Sequence, residues 1–100
     1  MRFAFKNPKL EALFYEAKGA DKYSESVVEA FFEVMSQIWA AKDERDLYAL
    51  KGLHFEKLQG ERGRAAERSL RLNKQWRLII SMMQDEEGKF ILIIDIEDYH

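Results

Sequence analysis

The sequence predicts a single α+β domain in which two early helices cover one face of a twisted antiparallel sheet. Three observations carry this. Residues 2–6 alternate apolar and polar side chains, as a short strand does. Two segments between residues 7 and 41 repeat apolar side chains at helical spacing. From residue 53 onward the pattern returns to alternation, broken by short turn-forming stretches. One hundred residues fit one domain, and an apolar fraction of 47% excludes a disordered chain.

Arg2, Phe3, Ala4, Phe5 and Lys6 form the opening strand. Asn7-Pro8 then starts a helix, because Asn caps helix N-termini and Pro suits the first helical position. Leu10, Leu13, Phe14 and Ala17 make its apolar stripe, and Gly19 is the expected stop. A second helix begins near Ser24 or Ser26, the latter with Glu29 at capping-box spacing. It runs to about Ala41. Its apolar arc holds Val27, Val28, Phe31, Phe32, Val34, Met35, Ile38 and Trp39, while Glu25, Glu29, Glu33 and Gln37 face water. A connector with a short helix near residues 46–50 follows.

Residues 53–58 alternate and read as a strand, and 59–64, with two glycines, as a loop. In 68–72, Arg68, Leu70 and Leu72 share the core side, and Ser69 and Arg71 point away. Asn73-Lys74-Gln75 is a turn. In 76–83, Trp76, Leu78, Ile80 and Met82 share one face, with Arg77, Ile79, Ser81 and Met83 on the other. Residues 85–88 turn the chain into the apolar strand 90–97, expected to be central. We take the order as β-α-α-β-β-β, its last three strands forming an antiparallel meander and the second sheet face left free.

Several chemistries are excluded. With no cysteine there is neither a disulfide nor a thiolate metal site, and two histidines make no metal cluster. No glycine-rich phosphate loop occurs, and Ser36, Ser69 and Ser81 lack a nucleophile-elbow context. Phe31, Phe32 and Trp39 have the helical spacing of core residues rather than of a cofactor site. No apolar stretch approaches the roughly 18 residues that span a bilayer, and residues 1–6 lack a signal-peptide core. A cytoplasmic protein without membrane contact is expected.

The net charge of −2 conceals an uneven distribution. Residues 51–77 hold eight basic and three acidic side chains, whereas 78–100 hold one basic and six acidic. A basic segment in a mildly acidic chain points to one surface for an anion. Arg62, Arg64, Arg68, Arg71, Lys74 and Arg77 fall there, and Arg71 and Arg77 flank the turn at 73–75. Two guanidinium groups so placed suit a phosphate, although such a run also serves as a solvated face paired with Glu61 and Glu67. His54 reads as a strand histidine or as a proton-transfer group. Lys57, three residues on, falls on the opposite face under ideal alternation. Asp98, Tyr99 and His100 gather a carboxylate, a phenol and an imidazole, which is either a polar tail or a set able to move protons near neutral pH.

Taken together, Leu53-His54 followed by Lys57, the run Leu72-Asn73-Lys74-Gln75-Trp76-Arg77-Leu78 and the terminal Glu97-Asp98-Tyr99-His100 resemble HigB-type toxins of the RelE/ParE superfamily. Phe5-Lys6 ahead of a leucine-rich helix is similar too. The resemblance implies a microbial-ribonuclease-like RelE fold and cleavage of mRNA in the ribosomal A site. The nucleophile would be the RNA 2′-hydroxyl, so no metal or other cofactor is required. It implies His54, Lys57, Arg77, Asp98, Tyr99 and His100 as catalytic, and Arg62, Arg64, Arg71 and Lys74 as RNA-binding. The implied partners are the 70S ribosome, mRNA and a helix-turn-helix antitoxin (HigA-like), through which alone operator DNA is met. The chain departs from the basic character of such toxins, with a pI near 5.7. Two alternatives share the fold: a ParE-like, non-enzymatic gyrase poison, and a catalytically silent antitoxin-binding co-repressor.

Overall fold

The computed structural model describes residues 1–98, which form one mixed five-stranded sheet with the two longest helices on one face. Strand β1 (Phe3–Phe5) leads into α1 (Pro8–Glu16). As expected, Asn7 caps this helix, its side chain accepting from the Lys9 amide at 2.9 Å. The stop is not Gly19 but Ala17, which takes a left-handed conformation at φ 56°. Its amide bonds back to the Leu13 carbonyl, closing the last turn two residues early.

Helix α2 (Glu25–Ala40) is capped by Ser24, whose hydroxyl accepts from Val27 at 3.4 Å. Ser26 already lies inside the first turn, so its capping box is not used. Val27, Phe31, Val34, Met35 and Ile38 are buried. Trp39, expected in the core, is 70% exposed. It follows Ile38 by one residue, and one helical step rotates a side chain by about 100°, off the sheet-facing stripe.

After α3 (Glu44–Ala49) the chain departs from the expected strand at 53–58. Leu53 closes a 3₁₀ turn, and only Glu56–Lys57 form a strand, β2. Leu53 and Phe55 are buried and make the alternation, but they reach the core from a turn. The expected loop at 59–64 contains a one-turn helix, α4 (Gly60–Arg64). Strands β3 (Glu67–Arg71), β4 (Trp76–Asp85) and β5 (Gly88–Asp98) complete the sheet.

The strand order is β1-β5-β4-β3-β2. Four strands follow α2, one for each of the segments 53–58, 68–72, 76–83 and 90–97, so the order β-α-α-β-β-β is one strand short. The meander β2 to β5 is antiparallel as expected, but β1 lies parallel to β5. The long passage through the helices returns β5 beside β1 in the same direction, as a crossover connection does.

Leu70, Leu78, Ile80, Ile91 and Ile93 are fully buried against Leu10, Leu13, Phe31, Met35 and Ile38. Replacing one such large side chain by Ala would cost about 2–5 kcal/mol. A bulge lets β5 keep this face apolar. Ile80 pairs with Ile93 but Ile79 pairs with Asp95, so Ile94 has no partner. Ile93 and Ile96, three residues apart, therefore both join the core, and Glu97 turns to the other face.

Candidate nucleic-acid interface and active site

The sheet face turned away from α1 and α2 is not free as expected: Ser69, Ile79 and Ser81 are buried on it, and Ser81 Oγ donates to the Ala65 carbonyl at 2.6 Å, just beyond α4. It carries a cleft of about 270 Å³ at the end of β3, β4 and β5. Glu56, Leu58, Arg62, Ser69, Arg77, Ile79, Glu97 and Asp98 line it. Register explains most of the set. Residues opposite one another on neighbouring strands share a face. Arg77 stands opposite Glu97, and Ser69 stands opposite both Glu56 and Ile79. Asp98 stands opposite Trp76, on the helix-facing side, and lines the cleft only at the end of β5.

The turn at 73–75 is fixed by Asn73, whose side-chain oxygen accepts from the amides of Gln75 and Trp76, each at 2.8 Å. Arg77 donates through Nη1 to the Asn73 carbonyl at 2.7 Å and to that of Trp76 at 3.2 Å. Its guanidinium is thus held by the same turn that ends β3 and begins β4. Gln75 in turn donates through Nε2 to Asp98 Oδ2 at 3.1 Å, joining the turn to the end of β5.

Arg62 bridges α4 to the sheet. It donates to both carboxylate oxygens of Glu97, at 3.0 and 2.8 Å, and through Nε to Glu67 at 2.9 Å. The two carboxylates, Glu97 foremost, hold its guanidinium above the ordinary arginine value.

The sequence-predicted residues divide accordingly. Arg62, Arg77 and Asp98 come together in the cleft. Lys57 does not join them: it pairs with Arg68, which pairs with Ile80, so it belongs to the helix-facing side while Glu56 lines the cleft. His54 is not in a strand. It follows the 3₁₀ turn in a left-handed conformation at φ 46°, exposed, and is not among the cleft-lining residues. Arg71 is half-buried and lines a different cavity, beside α2 and the turn at 51–53. Arg64 and Lys74 are exposed at the end of α4 and in the 73–75 turn. Tyr99 and His100 lie outside the described residues. Glu56, Glu97 and Ser69 were missed. Ser69 and Glu56 could have been found by pairing the strands, whereas Glu97 needed the bulge. No group of three potential metal ligands occurs among the described residues, and no helix is long and apolar enough to cross a membrane.

The cleft thus sets a turn-anchored arginine among the side chains of Glu97 and Asp98. The profile of the HigB-like toxin family, described as the RelE-like toxin of type II toxin-antitoxin system HigB, matches residues 3–100. The chain belongs to this family. As a HigB-like toxin it has an antitoxin partner. Its fold is also that of a solved YoeB/ParE toxin from Agrobacterium tumefaciens, with a TM-score of 0.58, 14% identity and 100% of each chain covered. No curated protein matches the sequence of this HigB-like toxin.

Proposed function

We propose that this toxin is a ribosome-dependent endoribonuclease that cuts mRNA in the A site and so blocks translation. The observation that supports this best is the fixed guanidinium of Arg77 in the cleft that Asp98 also lines. Attack by an RNA 2′-oxygen on the neighbouring phosphorus needs a base to take the hydroxyl proton. It needs a cation for the charge that develops on the phosphate and an acid to protonate the departing 5′-oxygen. The P–O5′ bond breaks as the 2′-oxygen bond forms, leaving a cyclic phosphate. This balance requires no metal or other cofactor.

In this scheme Arg77 stabilises the phosphate. His54 and His100 are the proton-transfer pair, and Asp98 acts as base or orients an imidazole. Tyr99 stacks on a base or donates a proton. Arg62, Arg64, Arg71 and Lys74 contact ribosomal RNA, giving position and affinity rather than sequence choice. Lys57 is left out of the catalytic set on account of its face. The antitoxin would be a HigA-like helix-turn-helix protein carrying the contacts to operator DNA, and the toxin would act in the cytoplasm.

The test is cleavage of mRNA on purified 70S ribosomes, mapped by primer extension, for wild type, His54→Ala, His100→Ala and Arg77→Ala. Cuts within the A-site codon that all three variants lose would support the scheme. A folded wild type that cuts nothing would overturn it and direct attention to gyrase poisoning, read as DNA breaks, or to a silent co-repressor.

A further inference from the structure

On the helix side, far from the cleft, the surface carries a second feature that the nuclease scheme does not use. Trp39 and Tyr15 are 70% and 66% exposed, unusual for large aromatic side chains. They stand over a groove of about 410 Å³ whose floor includes Phe3, Phe14, Phe32 and Met35. A neighbouring cleft of about 370 Å³ shares Phe3, Tyr15 and Trp39 and continues across the β1 edge to Phe90, over which Arg2 lies in an ion pair with Asp85. The trough is therefore continuous, apolar over the helices and closed at its β1 end by a charge-neutral pair. Its rings brace one another edge to face. Trp39 lies 6.1 Å from Phe3, Phe3 lies 5.6 Å from Phe14, and Phe14 lies 4.9 Å from Tyr15. Such a surface is already ordered, so a partner meets little entropic cost in using it. An exposed apolar patch of this kind marks an interaction site.

Charge selects the occupant. Helices α1 and α2, which frame the trough, carry five acidic side chains and one basic. Glu25 and Glu29 precede Phe32 by two turns and one turn on the same side of α2, and Glu11 precedes Phe14 and Tyr15 by about one turn on α1. A phosphate backbone is repelled here, and so is a second copy presenting the same acidic face. A protein segment with an apolar stripe and basic flanks is attracted.

We infer that this trough is where the antitoxin docks, through an amphipathic segment whose apolar side chains seat against Trp39 and Tyr15 and whose lysines or arginines face Glu25 and Glu29. The inference rests on the family's antitoxin partnership and not on the nuclease scheme.

The test uses the full-length toxin and its purified cognate antitoxin. Dissociation constants are measured by calorimetry for wild type, for Tyr15→Ser with Trp39→Ser, and for Glu25→Lys with Glu29→Lys. The aromatic pair is expected to weaken binding by at least about thirtyfold, as loss of interface anchors does. The charge reversals are expected to weaken it by about tenfold and to reduce its salt dependence. All these positions are exposed, so melting temperatures near wild type are expected and serve as the folding control, whether or not the toxin cleaves RNA. Affinities within about threefold of wild type for the aromatic pair would overturn the docking site. An unchanged constant for the charge pair would overturn the basic character of the segment. A wild-type dimer in sedimentation that Trp39→Ser converts to monomers would assign the trough to a second copy and overturn the inference.

Discussion

Arg62 grips Glu97 with both terminal nitrogens, so the one-turn helix α4 is tied across the cleft to the interior strand β5. The pair is only partly shielded, with side chains 44% and 37% exposed, and water weakens it accordingly. Arg62→Ala is therefore expected to cost only about 0.5–1 kcal/mol of global stability. Its larger effect is local: amide exchange in residues 60–64 should quicken severalfold in hydrogen-exchange mass spectrometry. Unchanged exchange there would show that α4 is held by other contacts.

Arg77 is held by two carbonyls of its own turn rather than by a long flexible reach. Arg77→Ala should lower single-turnover cleavage on the ribosome by about 10²–10³, the loss typical of one oriented donor to a developing anion. Arg77→Lys should recover little, because an ammonium cannot serve the two carbonyls and a phosphate in one plane. Full activity in the lysine variant would reduce the role to charge alone.

Tyr23 titrates above its ordinary value, first because it is partly buried and second because Asp95 is near. The folded protein therefore binds this proton more tightly than the unfolded chain. The contribution is complete below the unfolded tyrosine value near 10 and is lost as pH rises through the folded one. Stability measured by urea unfolding should fall as the pH rises above about 10. Tyr23→Phe should flatten that fall, and an identical slope in the variant would assign it to other groups.

Ala17 ends α1 in a left-handed conformation at φ 56°. A β-carbon there costs on the order of 1–2 kcal/mol, which glycine does not incur. Ala17→Gly should raise stability by about 1 kcal/mol and the melting temperature by roughly 4–8 °C. A lower melting temperature would mean that chain entropy outweighs the relieved strain.

Periodicity revealed the elements whose environment is simple. The stripe of Leu10 and Leu13, the cap at Asn7 and the alternation of Trp76 to Met83 all follow from local geometry, and the structure holds them. Where several elements compete for one core, the pattern misled. Leu53 and Phe55 alternate like a strand yet are buried from a turn, which moved His54 off the sheet. Trp39 looked like core because an apolar arc does not say how much of itself a sheet can cover. In the cleft, Arg77 and Asp98 were legible as chemistry. Glu56 and Glu97 were not, since a face is assigned only once strands are paired and the bulge is counted.

That bulge has a consequence for the length of the chain. Removing one residue from an interior strand ordinarily exchanges the two faces of everything beyond it. At Ile94 the reverse holds, because this residue has no opposite number on β4. Deleting it would restore uninterrupted pairing while Ile96 stayed inward and Glu97 outward, and an unchanged near-ultraviolet circular dichroism spectrum would show it. Deleting Leu92 instead would put the strand out of step. β5 thus contains a spare residue, and the direction in which its acidic end points is set by odd or even count rather than by any single contact.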